Sequence, residues 1–298
     1  MAAIKKRNLV LGSDGFVGIG LCHYLESIGE EVLHYDLKRS SLEDARTEKL
    51  PLTNVDAVYF LAWDVGGAKY LYRDEIQFRQ LDWNLRLLLN VMPQLRESQI
   101  PFVFISSQLA EVQDSVYGVT KRLGEVWTHL LSTGVRVRLW NVYGHLEAET
   151  ERSHVVSDFV WQAVMNKEIK MMTTGEEYRQ FIHVSDASAA FHLALTNQLK
   201  GIYDVTSFEW IKLIDLANII AKHAGAKVTP GAKVGSTPLT PIQGKIPSWN
   251  PKIGLDEGIG KMVREAQQIL AKKSTQNPSQ NKPSESKQQT QQTKKAAK

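Results

Sequence analysis

Residues 106–125, SSQLAEVQDSVYGVTKRLGE, close an apolar run, PFVFISS (101–107), and open a segment of helical period. The run is short, β-branched and aromatic, and opened by Pro101, which predicts a buried parallel strand. Beyond Val116 the residues Val119, Leu123, Val126, Trp127, Leu130 and Leu131 recur at helical spacing. Tyr117 and Lys121 are therefore one turn apart on one helix face. Both lie near the C-terminal end of a strand, where open α/β sheets bind ligands.

The chemistry of such a group is definite. A phenol titrates near pH ~10, too high for a base at neutral pH. A lysine charge nearby favours the phenolate and lowers that value. A serine hydroxyl can hold the oxygen whose proton the tyrosine takes or returns. A carbinol that loses its proton this way can also give up a hydride, provided an acceptor lies alongside. Y-x-x-x-K recurs by chance, so the acceptor's site has to be found elsewhere.

It is found at the start of the chain. Asn8 to Leu11 read as a strand, GSDGFVG (12–18) as a turn, and the following residues as a helix through Cys22, Leu25 and Ile28, ended by Gly29. Glu31 to Tyr35 make a second strand, and Asp36 follows it, 18 residues after Gly18. Gly12, Gly15 and Gly18 permit a tight turn and close approach of a pyrophosphate to the helix N-terminus around Phe16 and Val17, where free N–H groups favour anions. Asp36 can accept bonds from ribose hydroxyls, which favours NAD. Lys38 and Arg39 come next and could receive a 2′-phosphate, so NADP stays open. A plain glycine turn with a solvated aspartate is the bland alternative; the strand–turn–helix–strand–acid order argues for dinucleotide binding.

The next strand runs Ala57 to Leu61, with Leu61 and Ala62 placed to line the cofactor crevice. WDVGGAKYL reads as a loop, its Gly66-Gly67 marking a turn or close backbone approach. A long amphipathic helix spans about 76–97, with Leu81, Leu85, Leu88, Leu89 and Met92 on one face. Asn84, among those leucines, either bonds backbone near the site or sits at the helix margin. Val135 to Trp140 make another strand. Strands alternating with helices, each strand nearly continuously apolar, predict an α/β fold with a doubly wound parallel sheet. After His145 the expected order is a helix (154–165), a strand (169–172), a turn at Gly175, a strand plus helix in YRQFIHVSDASAAFHLAL, a strand in GIYDVTS, and a helix (211–224). A Pro/Gly/Thr-rich loop (228–247) and a last amphipathic helix (255–270) complete it. No internal repeat is visible.

Composition bounds the partners. With 298 residues and 43% apolar content the chain can build one large domain or two packed together. Its single cysteine, Cys22, excludes an internal disulfide and a cysteine-built zinc site and fits a reducing compartment, so a cytoplasmic location is expected and no metal centre. No apolar run approaches ~18 residues, so no membrane span is expected. The net charge of +4 misleads, because residues 272–298 carry seven lysines and one glutamate, a net +6, leaving the body at −2. A mildly acidic body is no nucleic-acid-binding fold. The Gln/Ser/Lys-rich tail lacks apolar residues and is expected to be disordered.

The stretches GSDGFVG, YFLAW, ISSQ, YGVTKRLGE, RLWNVYG, RQFIHVSD, GIYDVTS and WNPKIGLDEGI occur together, in order, over about residues 8–270. In these the chain resembles the extended short-chain dehydrogenases/reductases of the NAD-dependent epimerase/dehydratase family, which modify nucleotide sugars. The resemblance implies a Rossmann domain over 1–150, with 180–205 returning to it, and a smaller α/β substrate domain over 151–271. It implies Tyr117 as acid/base, Lys121 tuning it and holding the nicotinamide ribose, and Ser107 binding the sugar hydroxyl. Asn141 and Arg179 match positions that touch the nucleotide sugar, the arginine on its diphosphate; the bland alternatives are a turn cap and a surface ion pair. His183 reads as a packed, hydrogen-bonded histidine. A homodimer through a helical bundle that includes the Tyr117 helix is also implied, with Trp127 and Leu131 either at that interface or in the core.

Departures from the pattern narrow the reaction. Gln108-Leu109 follow Ser107 where sugar 4,6-dehydratases of this family place Asp-Glu, although Glu111 could approach. The 3,5-epimerising members use a cysteine close after that serine, and Cys22 is far from it. The segment between Ser107 and Tyr117 is short, and the C-terminal arginine set against the diphosphate has no clear match, with Lys233 or Lys245 as substitutes. The expected function is a nucleotide-sugar 4-epimerase using bound NAD. The alternatives are an NAD(P)H-dependent 4-ketoreductase and, from another class, a non-catalytic dinucleotide-binding module.

Overall fold

The computed structural model describes residues 5–71, 73–148 and 150–276. In chain order the elements are β1 (Arg7–Leu11), α1 (Phe16–Ser27), β2 (Glu31–Tyr35), β3 (Ala57–Phe60), α2 (Ala68–Leu71), α3 (Asp74–Ser98), β4 (Phe102–Ser107), α4 (Val116–His129), β5 (Gly134–Leu139) and β6 (Asn141–Tyr143). They continue with α5 (Val155–Asn166), β7 (Glu168–Lys170), β8 (Tyr178–Arg179), β9 (Phe181–His183), α6 (Val184–Thr196), β10 (Ile202–Val205), β11 (Ile211–Lys212), α7 (Leu213–Ala224), β12 (Lys227–Thr229) and α8 (Leu255–Gln276).

Six strands form one parallel sheet in the order β10-β5-β4-β3-β1-β2. From β1 the chain steps outward to β2 and then returns to the other side of β1 for β3. That reversal is a topological switch point, the place where such sheets open a ligand crevice. Leu11 pairs with both Tyr35 and Phe60, so Gly12, Asp36 and Leu61 leave the sheet side by side. Every residue of β3 and β4 is buried, as strands covered on both faces require. One face packs Val10, Tyr59, Val103 and Ile105 against Leu21 and Leu25 of α1 and Phe191 of α6. The other packs Leu9, Phe60 and Phe104 against Leu88, Val91 and Met92 of α3. A further core joins α5, α7 and α8 through Val160, Ile220 and Val263.

The structure departs from the sequence expectations in several places. In α3, Leu88 and Met92 are buried while Leu81 and Leu89 are exposed, so the five leucine and methionine positions do not share an environment. The buried surface of α3 also includes Gln80 and Asn84, because polar side chains are needed there to bind a neighbouring loop. On α4 the face toward the protein is Tyr117, Gly118, Thr120, Lys121, Gly124, Glu125 and Thr128. Val119, Leu123, Val126 and Leu130 point outward, whereas Trp127 and Leu131 pack in the core beside Phe102 and Phe104. Gly124 explains the close fit, since a Cβ there would lie 2.3 Å from the Phe104 ring.

Ala68 to Leu71, read as loop, form the single-turn helix α2. β9 pairs with β6 in a small two-stranded sheet, and it is β10 that joins the edge of the large one. α8 continues to Gln276, five residues into the stretch expected to be disordered. Ile259, Met262, Val263 and Ala266 anchor its first turns, and the Ala and Lys residues that follow are good helix formers. The rest of the tail, 277–298, lies outside the described residues. None of the helices among the described residues is long and apolar enough to cross a membrane.

Candidate active site

The site is a cleft of about 620 Å³ over the C-terminal ends of the sheet strands. Gly12, Gly15, Phe16, Val17, Gly18, Asp36, Leu61, Ala62, Ser107, Tyr117 and Lys121 all line it. Asn141 and Arg179 do not belong to that lining: Asn141 donates to the Gln180 carbonyl at 2.9 Å, and Arg179 to the Tyr178 carbonyl at 2.7 Å.

At one end lies the glycine turn. Gly12 has φ +89°, and a Cβ on it would lie 2.7 Å from the Ala62 nitrogen. At Gly18 a Cβ would lie 2.0 Å from the Gly12 carbonyl oxygen, so only glycine lets the turn close. α1 then begins with no capping side chain and no acidic residue in its first turn. Its free N–H groups and dipole suit a pyrophosphate, so the residues present fit a dinucleotide. Asp36 accepts from the Asp14 and Lys38 amides, each at 2.9 Å. The cations that could have favoured NADP are engaged, Lys38 Nζ donating to the Asp14 carbonyl at 2.7 Å and Arg39 Nε to the Asp14 carboxylate at 2.9 Å.

At the other end β4 delivers Ser106 and Ser107, and α4 delivers Tyr117 and Lys121. Ser107 caps the short 3-10 helix Gln108–Glu111, accepting from the Leu109 amide at 3.2 Å. Ser106 donates to Glu125 at 2.7 Å, and Glu125 is gripped by Arg138 through bonds of 2.6 and 2.8 Å. This buried pair fastens β4, α4 and β5 to one another beneath Ser107, Tyr117 and Lys121. Burial pushes the Tyr117 phenol up to about 12, against which the hydrogen bond from Ser107 pulls it down. Burial pushes Lys121 down to about 7, with Glu125 opposing. The lysine charge expected to lower the tyrosine is thus itself expensive in this dry site. Lys121 Nζ donates to the Ile105 carbonyl at 2.7 Å and lies 4.1 Å from the centroid of Trp63 and 5.8 Å from that of Tyr117.

Several lining residues had no clear signal in the sequence: Trp63, Asp64, Glu147, Arg152 and His154. Asp64 is 5% exposed, its carboxylate accepting from Tyr70 at 2.8 Å and Arg152 at 2.8 Å. Asn84 bonds its backbone from both sides, the Asp64 amide donating to Oδ1 at 2.8 Å and Nδ2 donating to the carbonyl at 3.3 Å. This resolves the two alternatives for Asn84 in favour of a role beside the site. The loop around Gly66 and Gly67 is fastened to the segment before α5. The Gly67 amide donates to the Arg152 carbonyl at 3.0 Å, and Lys69 pairs with Asp158 at 2.5 Å. A Cβ on Gly67 would lie 2.3 Å from the Ser153 carbonyl oxygen, which is why glycine stands there. Glu147 accepts from the His154 amide at 2.8 Å and contacts its Nδ1 at 2.9 Å.

The remaining candidates lie elsewhere. Glu111 pairs with Arg138 at 2.7 Å. Cys22 is 2% exposed in the core against the sheet. His183 caps α6, accepting from the Ser185 amide at 3.2 Å, and stacks edge-on with Tyr143. Lys245 sits over the Phe208 ring.

Comparison with known proteins agrees with this geometry. Residues 8–206 match the model of the NAD dependent epimerase/dehydratase family. A dTDP-L-rhamnose 4-epimerase of Burkholderia thailandensis is 28% identical over 175 residues, which is 53% of this chain and about half, 48%, of that protein's length. A dTDP-4-dehydro-6-deoxy-D-allose reductase of Streptomyces bikiniensis is 25% identical over 76% of this chain and 85% of its own. The fold of the UDP-glucose 4-epimerase of Thermotoga maritima superposes with a TM-score of 0.74 at 20% identity, covering 89% of this chain and 99% of that one. Sequence, sheet order and glycine turn point the same way, and the chain belongs to the NAD dependent epimerase/dehydratase family.

Proposed function

We propose that the chain is a nucleotide-sugar 4-epimerase with Tyr117 as acid/base at the sugar C4 hydroxyl. The observation that carries this reading is a single cleft holding the glycine turn at one end and Ser107, Tyr117 and Lys121 at the other. Ser107 orients the hydroxyl, and Tyr117 accepts its proton with the Lys121 charge offsetting the phenolate. NAD, when bound, supplies the hydride acceptor and donor. Tyr117 then returns a proton to the same oxygen after the 4-keto sugar has turned in the cleft. Burial holds Tyr117 protonated, so its base form calls for a neighbouring positive charge, the part this reading gives to Lys121 one turn along α4.

Other chemistries of the family have less support. Elimination needs acids after Ser107, where Gln108 and Leu109 stand, and Glu111 is committed to Arg138. Inversion through a thiol would need Cys22, which is buried in the core. In this reading Arg152, on the cleft wall, takes the diphosphate role expected of Arg179; it and His154 are the residues of 151–271 in that lining.

The active form we propose is a homodimer. Phe78, Leu81 and Leu89 of α3 and Val119, Leu123, Val126 and Leu130 of α4 form an exposed apolar stripe on two adjacent helices, Phe78 being 84% and Leu130 74% exposed. A second copy of the same stripe is its natural cover, because a two-fold axis sets identical patches against each other.

The deciding experiment is to purify the protein without added cofactor, denature it and identify the released dinucleotide, then incubate the native protein with a panel of nucleotide sugars. Near-stoichiometric NAD with C4-inverted product and no net oxidation is the expected result. An empty site and consumption of NADPH would replace this reading with the 4-ketoreductase. Bound NAD without turnover of any sugar would replace it with a binding module.

A further inference from the structure

The sheet ends at β2, and no strand lies outside it among the described residues; residues 43–46 of the β2–β3 connection instead line the crevice, before Leu50 and Val55 turn into the core. That segment places Arg46 on the cleft wall, in the same end as Asp36, Leu37, Ala45 and Trp83. Asp44 holds the Arg46 guanidinium in a fixed plane, accepting from Nε at 2.8 Å, from Nη2 at 2.6 Å and from the Arg46 amide at 3.0 Å. One face of that plane lies on the Trp83 indole, the guanidinium carbon 4.1 Å from the ring centroid. Arg46 retains 18% exposure of its side chain.

A flat, delocalised cation backed by an indole and fixed by a fork of hydrogen bonds is a stacking surface for another flat ring. Its charge is matched by Asp44, so it does not serve mainly as an anion hook. The neighbouring Asp36 and Glu43 carboxylates suit hydroxyl and amine donors rather than phosphate. We propose that the adenine of the dinucleotide stacks on the Arg46 guanidinium, which Trp83 supports from behind and Asp44 holds in place. Arg46 is thus a positioning and specificity residue for the purine end of the cofactor.

The test uses two halves of the cofactor as probes, ADP-ribose and nicotinamide mononucleotide, titrated by calorimetry into the full chain freed of bound nucleotide. Neither probe needs turnover, so the outcome is separate from which reaction is catalysed. Arg46→Ala is expected to weaken ADP-ribose roughly tenfold and leave nicotinamide mononucleotide unchanged. Arg46→Lys should weaken ADP-ribose almost as much, because lysine keeps the charge and loses the plane. ADP-ribose affinity within twofold of the wild type in Arg46→Ala, or equal loss of both probes, overturns the proposal. Should Arg46→Ala not fold, Trp83→Leu is the second variant, expected to cost several-fold in ADP-ribose alone; unchanged ADP-ribose binding there also overturns it.

Discussion

The Lys121 ammonium rests 4.1 Å from the centre of the Trp63 indole, inside the protein, with Phe104 on a second side at 5.1 Å. A desolvated cation over an indole is held by roughly 2 kcal/mol. Trp63 therefore helps keep Lys121 protonated against the burial that pushes it down to about 7. Trp63→Leu is expected to lower the Lys121 titration by about one further pH unit, read from the Cε shift of labelled lysine, while Trp63→Phe recovers part of it. An unshifted titration in Trp63→Leu would show that the ring is packing alone.

The same lysine makes stability depend on pH. Its folded value is about 7 against 10.5 for a free lysine, so between those values the unfolded chain binds the proton that the folded chain has released. Stability then rises with pH across that window, and below pH 7 the cost of the buried charge is fully present. Tyr117 acts oppositely above pH 10, where the unfolded chain loses its proton first and stability falls toward pH 12. Urea midpoints at pH 6, 8 and 10 should show a rise in the wild type that is reduced in Lys121→Met. Parallel curves for the two proteins would refute this.

Tyr117→Phe removes the hydroxyl proposed as acid/base and leaves the ring that fills the site. Turnover is expected to fall by about 10²–10⁴-fold, with dinucleotide content after purification unchanged. Substantial residual turnover would exclude Tyr117 from the chemistry.

Glu125 and Arg138, each 1% exposed, illustrate the asymmetry of buried pairs. Arg138→Met leaves a carboxylate buried beside Ser106 with only Arg122 at 3.0 Å to answer it, and should cost about 3–5 kcal/mol in denaturant unfolding. Arg138→Met with Glu125→Leu should recover most of that loss. Equal destabilisation in single and double variants would mean that packing, not charge, is what Arg138 provides.

Leu123→Arg places a charge in the exposed stripe of α4. Light scattering behind size exclusion should report a dimer for the wild type and a monomer for the variant. A wild-type monomer at micromolar concentration would remove the dimer from the proposal.

How much of this was legible in the chain follows from which signals are local. Strands β1 to β5, the glycine turn and the Ser107–Tyr117–Lys121 group are encoded by short runs and fixed spacings, and the structure gathers the turn and the trio in one cleft. The outward faces of α3 and α4 were not legible, because apolar residues surround both helices and periodicity alone does not say which side meets the sheet. Asn84 and Gln80 give the answer, but only once their partner at Asp64 is known. Arg152 and Glu147 carry no motif, and their place in the cleft arises from a loop that meets residues almost ninety positions earlier in the chain.

That loop contact also bears on how the cleft keeps its shape. Residues 64–69 and 152–158 are two walls of one opening, riveted by the Gly67 amide, the Arg152 fork and the Lys69 ion pair. Such a rim does not yield one side chain at a time. Loss of any one of these links leaves the others in place, so the spacing of the two segments is held redundantly rather than by a single contact.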